Sequence, residues 1–364
     1  MLTIHPRRVA RGTTRPLVVA FKLCLAATGC GSASESSATN APDATTPSVS
    51  DVTTEGTTVP TTGPSAELPV ISDEDPRYAF NVLTGAGGGV LLTRLDGTDV
   101  VELGTDVSGV HKRDDFSPDG QRVVFVDETT ETMWTANLDG SPSVQVPGCD
   151  HDGCDNPAFS PDGTRLAYSR AESAPDVTGP AAVGIEVVDL ATGEITEVVR
   201  LERPHLADVP RWSADGTQLV IGVDEMDDEA NETGASIAIV PADGSAATQE
   251  PQYLTDFSLF GYTPDWSWAT GEIVFSNSIK EFAVGFDPAT EACDVWVIGA
   301  DGTGLRQVTN VAAGEQIKGA KWRPDGAEIL AFSTKVGAIR IDPATGAMTP
   351  VSQPESTGAP RQRP

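Results

Sequence analysis

Basic residues are scarce in this chain: 24 Lys and Arg stand against 53 Asp and Glu, a net charge of −29 over 364 residues. A phosphate backbone requires a basic footprint, so nucleic-acid binding is excluded. Long apolar runs are missing too. None reaches the roughly 18 residues of a spanning helix, which excludes a polytopic helical membrane protein. Histidine occurs four times. The Gly-x-Gly-x-x-Gly fingerprint of dinucleotide binding and the phosphate-loop pattern are both absent. What is present is a composition for a packed core, 39% hydrophobic and 21% charged, with 36 Gly and 27 Pro spread along the chain. Turn residues at that density suit an all-β architecture.

Residues 1–29 read as an address. Arg7, Arg8, Arg11, Arg15 and Lys22 stand there without one acid, around the apolar segments Leu17–Phe21 and Leu23–Ala27. That is the layout of a secretory signal. The segment ends Ala27-Thr28-Gly29-Cys30, which resembles the lipobox of bacterial lipoproteins, with Ala27 in place of the usual branched residue. The resemblance implies cleavage before Cys30 and lipidation of its thiol; the alternative is an ordinary signal peptide with an incidental Cys30. Residues 30–66 continue as a Ser/Thr/Pro-rich tether without Lys or Arg, too polar to offset its own ordering entropy. An acidic chain is repelled by an anionic bilayer, so lipid alone would hold it at the membrane. This predicts a protein on the extracytoplasmic side of a bacterial envelope.

The body, residues 67–352, is a repeat. Five segments open alike, at Phe116-Ser117-Pro118-Asp119-Gly120, Phe159-Ser160-Pro161-Asp162-Gly163, Trp212-Ser213-Ala214-Asp215-Gly216, Trp266-Ser267-Trp268-Ala269-Thr270-Gly271 and Trp322-Arg323-Pro324-Asp325-Gly326. The fourth has an extra residue and no Pro-Asp pair. Each is followed by a short apolar strand, such as Val123–Val126 or Ile329–Phe332, then a second strand ending at Asp-Gly or Thr-Gly, then a short third. Pro presets φ, Asp bonds its own backbone and Gly accepts φ > 0, so the opening sets a turn. Asp-Gly and Thr-Gly between strands are hairpin signals. Each unit is a four-stranded antiparallel meander that must stack on its neighbours to bury both faces. A degraded unit precedes these, with Leu68–Ile71, Tyr78–Val82, Val90–Thr93 and Val100–Leu103 as its strands. The expectation is therefore an all-β, six-bladed β-propeller of four-stranded antiparallel blades, with seven blades as the alternative count and residues 353–364 as a loose tail.

The Ser-Pro-Asp-Gly opening, apolar strand and Asp-Gly turn resemble the WD-repeat-like propeller repeats of TolB and its relatives, over about 280 residues. The resemblance is specific for fold and weak for function, since the same repeat serves scaffolds, sugar lyases and the front domains of serine peptidases. TolB carries an α/β domain before its propeller where this chain has the tether, so a Tol-Pal role does not carry over. The peptidases need a hydrolase domain with Gly-x-Ser-x-Gly, which is absent. Family geometry gathers loops 104–114, 127–132, 148–157, 171–181, 201–210, 224–234, 277–292 and 309–319 on one face, where function is expected.

Three groups of residues on those loops are candidates. His111, His151 and His205 could converge as a catalytic or metal site; the bland reading is three solvated histidines. Cys149 and Cys154 most simply form a disulfide outside the cytoplasm, the alternative being a metal loop with His151. Cys293 is left as a buried thiol. Asp224, Asp227 and Asp228 belong to a dense acidic loop. Carboxylates there would suit calcium, although the Asp-x-Asp-x-Asp-Gly frame is missing, and a solvated hairpin tip is the simpler reading. The function expected is non-enzymatic recognition or scaffolding at the cell envelope through propeller loops and channel mouth. The partner is an envelope protein or peptide of basic character, or a glycan. The competing reading is a polysaccharide lyase or hydrolase built on the three histidines and nearby acids.

Overall fold

In the computed structural model, residues 78–84, 87–94, 101–107, 111–127, 129–149, 153–174, 179–245, 247, 249–277, 287–351 and 361–362 are described. The expected signal, Cys30, the tether and the strand Leu68–Ile71 lie outside them. Three strands open the described chain: β1 (Tyr78–Thr84), β2 (Gly87–Thr93) and β3 (Val101–Leu103). Then come β4 (His111–Phe116), β5 (Arg122–Asp127), β6 (Thr132–Asn137) and β7 (Val144–Gln145) as the first blade. The second is β8 (Cys154–Phe159), β9 (Arg165–Ser173), β10 (Pro180–Asp189) and β11 (Ile195–Glu202). The third is β12 (His205–Trp212), β13 (Gln218–Met226), β14 (Glu232–Pro241) and β15 (Gln252–Tyr253). The fourth is β16 (Tyr262–Trp266), β17 (Glu272–Ser276), β18 (Val295–Gly299) and β19 (Arg306–Gln307). The fifth is β20 (Ile317–Trp322), β21 (Ile329–Ser333), β22 (Gly337–Ile341) and β23 (Met348–Pro350), after which β24 (Arg361–Gln362) follows.

The expected count of six blades, or seven, is corrected. Among the described residues, five blades are built from four consecutive strands each, all antiparallel. The remaining sheet is not a contiguous blade: its order is β24-β1-β2-β3, assembled from both ends of the described chain. Tyr78 pairs with Gln362 and Ala79 with Arg361, so residues expected in a loose tail supply an edge strand. The physical reason is that β24 has two residues and no apolar alternation, and its partner lies some 280 positions away.

The repeat explains itself in the turns. Ser117, Ser160 and Ser213 each give a hydroxyl hydrogen bond to the Asp two residues on, at 2.5–2.7 Å. The same Ser oxygens accept the backbone N–H of Arg122, Arg165 and Gln218, which closes the turn onto the next strand. The Asp carboxylates accept the N–H of Gln121, Thr164 and Thr217. The following Gly takes φ of 65–68° in these blades, a region that L side chains reach only with strain. The Ser160 hydroxyl is the leading cause holding the Asp162 carboxyl below its ordinary range.

Blades interlock through the opening aromatic. The Arg122 guanidinium lies 5.2 Å from the Phe159 ring centroid and donates to Gly163 O; Arg165 lies 4.6 Å from the Trp212 centroid and donates to Gly216 O. Asp115 accepts the backbone N–H of Phe159, and Asp265 that of Trp322, each one blade further on. Side chains alternate within β5: Val123 and Phe125 pack toward the composite sheet, Val124 and Val126 toward the second blade. The strand reads as unbroken apolar sequence because both of its faces are interior. Similar clusters join blades two and three, three and four, and four and five. Each fully buried Phe or Leu contributes about 1.5–3 kcal/mol relative to exposure.

A bulge recurs on the first strand of every contiguous blade, between Lys112 and Asp115, Asp155 and Ala158, Asp208 and Arg211, Tyr262 and Asp265, and Lys318 and Lys321. Asn156, Val209 and Thr263 sit in these bulges at φ of 47–51°. For a β-branched residue such as Val209 that conformation is costly. The bulges re-aim the side chains ahead of them, and those side chains form one of the sites below.

Candidate functional site

On the loop face, the third blade and its exit gather three rings. His205 opens β12 and stacks on Phe257, with centroids 4.9 Å apart and planes 17° apart; Tyr253 lies 5.3 Å from Phe257. Phe257 starts a short 3-10 turn, Phe257–Leu259, capped by Asp256, which accepts the N–H of Ser258. Gly234 lets the rings close down: a Cβ there would stand 2.9 Å from Phe257 Cβ and 3.2 Å from Glu225 Oε2. Glu225 Oε1 is 3.8 Å from His205 Nε2. Glu250 meets the Tyr253 hydroxyl at 3.5 Å. Burial first, then the Glu250 charge, pushes that hydroxyl up to about 12. Half-buried rings thus sit within a rim of carboxylates.

Next to it lies a pair of carboxyls. Asp208, ahead of the bulge in β12, accepts from Asn156 Nδ2 at 2.7 Å, from its neighbour Val209 N at 2.8 Å and from the Tyr262 hydroxyl at 3.1 Å. Those donors come from three blades. Asp224 on β13 has a buried Oδ1 without a hydrogen-bond partner. Desolvation first, and the Asp208 charge second, hold its carboxyl well above the ordinary range. Asp224 was expected beside Asp227 and Asp228. The structure instead puts Asp227 in the hairpin turn, bonded to Asn231 N and Nδ2, with Asp228 exposed beside it.

The other sequence candidates disperse. His111 opens β4 in register with Asp127, two blades from His205. His151 lies outside the described residues. Cys149 and Cys154 are joined as a disulfide with Cα atoms 5.9 Å apart. It links the end of the first blade to the start of the second, and Arg170 donates to Gly148 O beside it. Cys293 is buried and not disulfide-bonded. Among the described residues, no three His, Cys, Asp or Glu side chains stand together as a metal-holding group.

At the opposite end, where the Ser-Pro-Asp-Gly turns sit, a depression is lined by all five contiguous blades, including Phe116, Phe159, Trp212, Trp266, Trp268 and Trp322. The acids and bases in its lining are Asp115, Asp265, Arg211 and Arg323. Arg211 Nε is 3.7 Å from Asp265 Oδ1. Trp268 replaces the turn proline in the fourth blade, and its Nε1 donates to Trp212 O at 2.8 Å. The irregular fourth opening is visible in the sequence, but the place of Trp268 is not. Asp208, Asn156, Tyr262, Tyr253 and Phe257 carried no local signal at all; they meet only through the fold.

No family model and no curated protein sequence matches the chain. Solved structures do. TolB from Acinetobacter baumannii is 14% identical with a TM-score of 0.57, covering 79% of this chain and 66% of that one. A protein described as TolB from Agrobacterium tumefaciens is 16% identical with a TM-score of 0.53, covering 79% and 98%. A chain of a nidogen/laminin complex is 11% identical with a TM-score of 0.54, covering 78% and 96%. At these identities the likeness is one of fold: the chain is a β-propeller similar in fold to TolB. Among the described residues, no helix is long and apolar enough to cross a membrane.

Proposed function

We propose that this chain is a recognition protein of the bacterial envelope, held on the extracytoplasmic side by lipid at Cys30, whose loop face binds a basic protein segment. The observation that carries the reading is the His205–Phe257–Tyr253 stack rimmed by Glu225, Glu250 and Asp256. Aromatic faces attract cations, and nearby carboxylates fix their ammonium or guanidinium heads. The net charge of −29 steers such a partner in from a distance. The leader and the Cys149–Cys154 disulfide support an oxidising compartment.

The test is calorimetric titration of the chain with oligolysine, against oligoglutamate as control. Saturable oligolysine binding is expected, weakened roughly tenfold by Phe257→Ala or Glu225→Gln, since each removes one aromatic or charged contact. Binding that both variants leave unchanged would reduce the effect to bulk acidity and overturn the reading. Labelling with a tagged fatty acid checks the anchor: label lost in Cys30→Ser is expected, and label retained there refutes it.

A further inference from the structure

We propose that the depression at the Ser-Pro-Asp-Gly end is a second binding site, distinct from the loop face, and that its ligand is a neutral saccharide ring. The repeat itself points to the place. Four of the five turns carry Pro or Ala after the Ser or Arg, whereas the fourth carries Trp268. Trp268 is 41% exposed. Its ring is not loose, because Nε1 is tied to the Trp212 carbonyl at 2.8 Å. A large ring fixed at a solvent boundary loses apolar burial without gaining freedom. Such a departure from a local rule is expected at a functional position.

Below that platform, Trp322 is 5% exposed and its Nε1 is buried with no hydrogen-bond partner. Two other indoles lining the depression find acceptors: Trp212 Nε1 bonds Ala158 O and Trp266 Nε1 bonds Gly271 O. Trp322 lines the depression, and a buried N–H without a partner carries a desolvation cost that an acceptor brought to it would relieve. The charge of the lining decides the ligand class. Two carboxylates, Asp115 and Asp265, balance two guanidiniums, Arg211 and Arg323. Either a cation or an anion would meet a like charge there, although the molecule as a whole is strongly acidic. A wholly apolar ligand would leave the Trp322 donor dry. A saccharide ring has an apolar C–H face for the Trp268 indole and hydroxyls that both donate and accept. It satisfies all three constraints.

The experiment is titration of the chain with soluble neutral oligosaccharides (glucan, mannan and chitin fragments) and acidic ones (galacturonate and alginate fragments), read by tryptophan fluorescence and calorimetry. Saturable binding of a neutral member with a fluorescence change is expected. Trp268→Ala should weaken it roughly tenfold, as for loss of one stacking ring. Trp322→Phe, which keeps a ring and removes the N–H, should weaken it severalfold; circular dichroism checks that this buried variant folds. Phe257→Ala should leave saccharide binding intact, which separates this site from the loop face. Binding by no neutral member, preference for the acidic ones, or full binding in Trp268→Ala would each overturn the proposal.

Discussion

Asp224 shows what a single carboxyl with a buried oxygen can cost. Its Oδ1 has no partner, and Asp208 stands near enough to oppose its charge. The folded-state pKa is raised above the unfolded one, so the native chain holds a proton that the unfolded chain releases. Stability from this group is therefore present at low pH and lost as pH rises through the folded pKa. Asp224→Asn removes the ionisation while keeping the shape. The variant should melt above the wild type at pH 8, with the advantage shrinking toward zero as pH falls to about 4, the ordinary carboxylate range. Melting curves across that range decide it. A constant offset would mean that Asp224 acts by packing and not by charge, and a variant less stable at pH 8 would show that its negative charge is used.

At the scale of the element, the unit of stability is the joint between one blade's strand and the next blade's turn. Arg165 spans that joint, over the Trp212 ring and onto Gly216 O. Arg165→Ala should cost about 1–2 kcal/mol, the sum of a partly desolvated cation–π contact and one hydrogen bond. Arg165→Lys should cost less, since it keeps the charge but not the planar stack. Denaturant unfolding of both variants measures this, and equal loss in the two would assign the effect to the guanidinium's geometry alone. This joint also shows what was legible beforehand. Aromatic, Ser, Pro, Asp and Gly recur at fixed spacing, and each does local work, so the turns and apolar strands of five blades could be read directly. The bulges could not. Val209 at positive φ contradicts its own propensity and is held there by the neighbouring blades. The site around Asp208 depends on that bulge, with Asn156 and Tyr262 arriving from 52 and 54 positions away. No one-dimensional pattern encodes such a meeting, whereas Cys149 and Cys154, five apart, were readable because their contact is local.

The whole molecule is a chain of blades, each packed on its neighbours, so its ends carry the weakest support. The composite sheet joins those ends: β24 lies along β1, while β2 and β3 contribute Val90, Leu92, Val101 and Leu103 to the cluster shared with the first contiguous blade. Without β24, β1 would present unpaired N–H and C=O groups to solvent as a sheet edge. Deleting residues 352–364 should therefore accelerate amide hydrogen exchange at Tyr78 and Ala79, the two residues that β24 pairs, and raise the tendency to aggregate. Protection should stay unchanged in β13 and β14, three blades further along. The melting temperature should fall by only a few degrees, because the hydrophobic clusters between the five contiguous blades do not involve the tail. Unchanged exchange at Tyr78 and Ala79 would show that the pairing does not protect the edge. Loss of protection through all five blades would show instead that the ring unfolds as one unit and that its two ends are its keystone.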